Sequence, residues 1–142
     1  MKAFAYLIPA LLFCAGCSSV TVQKSPALDL SKVHRVFIEQ RQNDNNHLND
    51  MMVDEMRRLG FEASTGPLTM MPEDTEAVLA YDARWTWDFH TYMIELNLGL
   101  RNARTGKKLA EGRYYQPSVR PLPADEAVHA IIVKMFAPAA SK

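Results

Sequence analysis

Two hydrophobic periods alternate along the chain, and each change of period marks an element boundary. Val33 to Gln40 (VHRVFIEQ) is β-branched and aromatic and predicts a strand. Leu48, Met52, Met56 and Leu59 then recur at i, i+4, i+8 and i+11, a stripe that Met51 widens, so a helix is predicted from about Asp44 to Leu59. The polar turn before it offers N-caps from Asn43 to Asn46. Asp50, Asp54, Arg57 and Arg58 occupy the other side, and Gly60 stands where a left-handed C-cap belongs. Phe61 to Ser64 predicts a short strand directly afterwards. Strand, amphipathic helix and strand in succession imply a parallel crossover.

After a loop over residues 65–75, punctuated by Gly66, Pro67 and Pro72, the period falls to two. From Ala77 to Asp88, Leu79, Tyr81, Ala83, Trp85 and Trp87 share one face, and Asp82, Arg84, Thr86 and Asp88 the other. From Tyr92 to Leu100, Tyr92, Ile94, Leu96, Leu98 and Leu100 point one way and Glu95, Asn97 and Arg101 the opposite way. Asn102 to Lys108, with Gly106, reads as a hairpin turn, and Leu109 to Tyr115 as the returning strand, where Gly112 is a bulge candidate. A Pro-rich stretch then leads into a last helix. Pro123 suits its first turn, Asp125 and Glu126 complement its dipole, Val128, Ile131, Ile132, Met135 and Phe136 form its apolar side, and Pro138 ends it.

These elements define an α/β fold, a two-layer sandwich. A mixed sheet of about four to five strands carries two amphipathic helices packed on one face. The other face would hold Asp82, Arg84, Glu95, Arg101, Glu111 and Arg113, a mixed-charge ladder that is also a docking surface.

The N-terminus changes the picture. Lys2 precedes Ala3 to Gly16, a run of 14 uncharged residues, too short for a membrane-spanning helix and proportioned as a signal peptide. The order Ala15, Gly16, Cys17, Ser18, Ser19 resembles the bacterial lipobox, with Cys14 where that motif usually carries Leu. The resemblance implies a diacylglyceryl thioether on Cys17, cleavage before it and acylation of the new amine. Three acyl chains hold far more firmly than one myristoyl group. Ser18, rather than Asp, implies sorting to the outer membrane. The expected organisation is a signal peptide over 1–16, a lipidated N-terminus and tether over 17–30, and one domain over 31–138. The alternation of Val20 and Val22 leaves a short edge strand open within the tether. Ordinary secretion with a free Cys17, or an uncleaved anchor, are the competing readings.

The chain has 142 residues, with 16 basic and 16 acidic side chains, so no basic excess points to nucleic acid. An apolar fraction of 48% is that of a folded domain. Of the two cysteines, Cys14 falls in the signal peptide, which leaves no partner for an intrachain disulfide.

The lipobox, the unit ending MRRLGFEA, the meander around AYDARWTWD and ELNLGLRNARTGKKLAEG, and the final helix together resemble small proteobacterial lipoproteins. Their domain is similar in outline to the N-terminal domain of TolB and to the lipoprotein core of CsgG-like assembly factors. That resemblance implies a periplasmic, envelope-associated interaction role, and it brings no catalytic residues.

Candidate chemistry is sparse. His34, His47, His90 and His129 show no close metal-ligand spacing. Met51, Met52, Met56, Met70 and Met71 are soft ligands suited to Cu(I), with His47 or His90 as an extra ligand, but Met52 and Met56 fall on the core stripe. A hydrolase would need a nucleophile, base and orienting group. Asp82 and Asp88 lie about 20 Å apart along one strand, and only Asp88 with His90 forms a candidate pair. Trp85 and Trp87 are either core or, at a sheet edge near Tyr114 or Tyr115, an aromatic interface patch rimmed by Arg84 and Asp88.

The expected function is thus that of a non-catalytic, lipid-anchored interaction or assembly module of the outer membrane, facing the periplasm. It carries no cofactor beyond the lipid on Cys17, and its interaction residues are Trp85, Trp87, Arg84, Asp88, Glu95 and Arg101. Its partners are the membrane, envelope proteins or further copies of itself, and not nucleic acid. A periplasmic copper-handling protein is the alternative, and a small hydrolase stands behind it.

Overall fold

The computed structural model of the chain describes residues 18–117 and 121–138. The expected signal peptide over 1–16 and the expected lipidation site Cys17 lie outside the described residues. In chain order the elements are β1 (Ser19–Lys24), β2 (Arg35–Glu39), α1 (Leu48–Arg58), β3 (Glu62–Gly66), β4 (Ala77–Asp88), β5 (His90–Asn102), β6 (Lys108–Tyr115) and α2 (Ala124–Phe136). The strands form one mixed sheet of six in the order β1-β6-β5-β4-β2-β3. Strands β1, β6, β5 and β4 are mutually antiparallel, whereas β2 runs parallel to both β3 and β4. The crossover β2–α1–β3 is therefore parallel, as the glycine-terminated helix between two short strands implies.

The sixth strand is β1, in a segment expected to be tether. Its register with β6 runs from Ser19↔Tyr115 to Lys24↔Ala110, so Val20 and Val22 turn half-buried onto the core. Helix α2 secures this edge, because Lys134 Nζ donates to the Val20 carbonyl at 2.6 Å and Lys24 Nζ donates to the Ala137 carbonyl.

Helix α1 starts later than predicted, at Leu48, because His47 adopts a left-handed conformation (φ 55°). Asp44 nevertheless performs the capping chemistry from outside the helix, accepting from the Asn49 amide at 3.1 Å. At the other end Gly60 has φ 92°, its amide bonds the Arg57 carbonyl, and the Phe61 amide bonds the Met56 carbonyl. This is the Schellman pattern, and its positive φ requires glycine. Leu48, Met52 and Met56 are buried as expected, whereas Leu59 is 39% exposed. The last turn has already passed the end of the core.

Both helices cover the same sheet face, α1 over β2 and β3 and α2 over β1, β6 and β5. Val128, Ile131, Ile132, Met135 and Phe136 are all buried there. Gly112 is regularly paired with Leu98 and Val22, not bulged. Its role is close approach: a Cβ would lie 2.8 Å from Met135 Cε and 3.0 Å from Ile131 Cγ1. The irregularity of β6 falls instead at Leu109, left over between Ala110, which faces Leu100, and Lys108, which faces Arg101, and a second bulge lies in β5. Arg84 faces Glu95 and Trp85 faces Met93, which leaves Ile94 as the extra residue. Below the bulge the alternation reverses, so Met93 rather than Ile94 is fully buried and Tyr92 turns to the helix-free face.

Candidate interaction surfaces

Three features on the helix-free side and at the β4–β5 end of the sheet concentrate the polar and aromatic chemistry of the domain. The first is a ladder across β4, β5 and β6. Cross-strand pairing sets Arg84 opposite Glu95 and brings Arg113 alongside. Glu95 receives Arg84 at 2.8 Å and Arg113 at 2.7 Å. The Arg113 hydrogen bond, helped by Asn97 and by both guanidinium charges, outweighs desolvation and holds the Glu95 carboxyl below the usual carboxylate range. Arg113 also lies 5.0 Å over the Tyr115 ring. Farther along the same face Arg101 pairs with Glu39 at 3.2 Å and Asp82 with Arg41 at 3.1 Å. The alternation of charge read from the sequence is thus assembled into paired rungs.

The second feature is a groove of about 870 Å³ beyond the carboxyl ends of β2 and β3, bounded by the Gln40–Asp44 loop, Leu68 and Tyr81. Tyr81 Oη donates to Asp44 Oδ2 at 2.7 Å, and the Arg41 guanidinium donates to the Tyr81 carbonyl at 3.0 Å. Burial, reinforced by the Asp44 carboxylate, pushes the Tyr81 hydroxyl well above its ordinary pKa. Burial of Asp44 opposes ionisation, but the Tyr81 hydroxyl and the amides of Asn49, Leu48 and Asn46 overcome it and lower its pKa. Tyr81 was expected in the core and Asp44 at a cap. Their contact, across 37 positions of sequence, left no mark in the hydrophobic pattern.

The third feature is the β4–β5 hairpin. The two tryptophans divide: Trp85 packs half-buried against the core, and Trp87 is 72% exposed. Tyr114 is buried in β6, and Tyr115 faces Glu95 with Arg113 over its ring, so neither tyrosine joins Trp87. Trp87 instead approaches Phe89, ring centroids 6.3 Å apart. Phe89 is 92% exposed and adopts φ 59° between Asp88 and His90, which pair across it. A bulky side chain in the left-handed region is strained.

The remaining candidates stay apart. His34 lies beside Glu76, His47 beside Asp50, His90 beside Tyr92 and His129 beside Glu55, four separate places in the fold. No group of three or more His, Cys, Asp or Glu side chains suited to a metal occurs among the described residues. Met70 is exposed in a short 3-10 turn, whereas Met52 and Met56 are core. Asp82 is paired with Arg41, and Asp88 sits at the hairpin end.

A mixed sheet with both helices on one face defines a two-layer α/β domain, and solved structures share it. The chain is similar to the PelC dodecamer from Paraburkholderia phytofirmans, with 13% identity and a TM-score of 0.60 over 89% of this chain and 99% of that one. A methionine-substituted form of the PelC dodecamer gives 14% identity and the same TM-score. A PDZ domain protein from Parabacteroides distasonis matches at 8% identity and TM-score 0.55, with 88% of this chain covering 37% of that one. At these identities the likeness is one of fold. No family model matches the chain, and no curated protein sequence does.

Proposed function

We propose that the chain is a lipid-anchored protein of the bacterial outer membrane whose domain faces the periplasm as a non-catalytic interaction module. It assembles with further copies of itself or with another envelope protein. The observation that carries this reading is the helix-free sheet face, where the Arg84–Glu95–Arg113 ladder presents both charge signs in fixed positions. A surface of alternating sign complements a second copy of itself as readily as a foreign partner. The dodecameric state of PelC, a protein of the same fold, supports self-association over the foreign partner. The anchor rests on the sequence Ala15-Gly16-Cys17-Ser18 and its likeness to the lipobox.

Fatty-acid labelling of wild type and Cys17→Ser, followed by native mass spectrometry of the purified protein in mild detergent, tests both parts. Label confined to the wild type, and an oligomer that dissociates on Arg84→Glu, are expected. A monomer at every concentration, with no crosslinked envelope partner, overturns the interaction role. An unlabelled wild type overturns the anchor.

A further inference from the structure

The register of the sheet fixes where the chain enters the domain. Ser19 opposes Tyr115, Tyr115 opposes Glu95, and Glu95 opposes Arg84, so the start of β1 lies at the end of the sheet towards which β4 runs. From that level the β4–β5 hairpin continues alone. β6 stops at Tyr115 and β2 accompanies β4 only as far as Leu79, so residues 85–93 form a two-stranded arm flanked by no other strand. Four residues from Arg84 to Asp88 project it by about 13 Å.

The composition of this arm is unusual for an exposed hairpin. Its sequence, WTWDFHTYM, holds four aromatic residues and a single formal charge, Asp88. Its apex carries Phe89 in a strained left-handed conformation where glycine or asparagine is the ordinary choice. Trp87 and Phe89 are left in solvent side by side. Of the six large apolar side chains exposed among the described residues, Leu68, Trp87, Phe89 and Leu122 lie at this end of the sheet, and Leu59 lies at the other.

Only Ser18 lies between Cys17 and Ser19, two chain steps with a reach of at most about 7 Å. Strand β1 is three strands from β4, about 14 Å laterally. We infer that the aromatic apex of the β4–β5 hairpin is a second membrane contact, seating Trp87 and Phe89 in the headgroup–acyl boundary of the bilayer that holds the Cys17 lipid. This rests on the lipid-anchor reading above. Tryptophan suits that boundary because its ring is apolar and its N–H keeps a polar partner. A lipid at one corner and an aromatic apex at another fix the tilt of the domain, which the lipid alone leaves free to swivel.

The acylated full chain carrying Trp85→Phe has Trp87 as its only tryptophan. It is reconstituted into phosphatidylethanolamine–phosphatidylglycerol vesicles, with or without brominated acyl chains, and floated on a density gradient. The expected result is a roughly twofold or greater loss of Trp87 emission in brominated vesicles, with a blue shift, as for an interfacial ring. Unchanged emission in protein that floats with the vesicles overturns the second contact while leaving the anchor intact. A blue shift that grows with protein concentration but ignores bromine also overturns it, assigning the apex to a second copy. Failure to float, with no acyl mass on Cys17, overturns the anchor and this inference together.

Discussion

Tyr81 on β4 and Asp44 on the β2–α1 loop are joined by a 2.7 Å hydrogen bond from hydroxyl to carboxylate, and the same carboxylate caps α1 through the Asn49 amide. One side chain therefore couples the sheet to the start of the helix. Tyr81→Phe is expected to cost about 1–2 kcal/mol and Asp44→Ala about 2–3 kcal/mol, the second losing a cap as well as a charged hydrogen bond. Urea denaturation of both variants and the double variant checks this, since a shared contact makes the double cost less than the sum.

The pH dependence follows from the same group. Asp44 is held below its ordinary pKa when folded, so its stabilisation is complete above the usual carboxylate range. It is lost as pH falls through that range towards the folded value. Glu95, lowered first by Arg113, and Glu76, lowered first by the His34 amide and then by that of Arg35, act in the same direction. Unfolding free energy is expected to fall on acidification, and Tyr81→Phe is expected to make that acid limb shallower. A limb of equal slope in the variant would dissociate Tyr81 from it.

Gly112 sets how closely α2 approaches β6. A methyl group there collides with Ile131 and Met135, so Gly112→Ala is expected to destabilise by about 1–3 kcal/mol through overpacking. Ile131→Val, placed in the same chain, should recover part of that loss. Thermal denaturation of the single and double variants measures it.

Phe89 carries backbone strain that a glycine would not. Phe89→Gly is expected to stabilise the domain by about 1 kcal/mol, while weakening the apex as a bilayer contact. Greater stability in denaturant unfolding together with weaker bromine quenching of Trp87 in the acylated Trp85→Phe chain marks a residue held for contact rather than for folding. Destabilisation by this substitution would place Phe89 in the fold itself.

Much of the architecture was legible because period is a local property. The stripe Leu48–Met52–Met56, the alternation Leu79–Tyr81–Ala83 and the apolar side of α2 all meet the core as their spacing requires. Strand β1 was obscured because only Val20 and Val22 carry apolar bulk in six residues, leaving a pattern shared with many tethers. The bulge at Ile94 has no compositional signature, so the reversal that buries Met93 is visible only in the register. The interaction residues divide in the same way. Arg84 with Glu95, and Arg101 on the ladder face, follow from alternation. The partition of Trp85 from Trp87 depends on where the helix layer ends, which no local spacing records. The apex did leave one trace, an aromatic residue between two strands where turn formers belong.

The pairing of β1 along its whole length with β6 has a mechanical consequence. Tension applied at Ser19 along the strand loads all the rungs from Ser19–Tyr115 to Lys24–Ala110 in shear at once, rather than peeling them singly. Under the proposed lipid anchor, such an edge transmits force from the amino end to the body of the sheet without unravelling first. In single-molecule stretching it should yield at a higher load when drawn from the amino end than when drawn from the carboxyl end through α2.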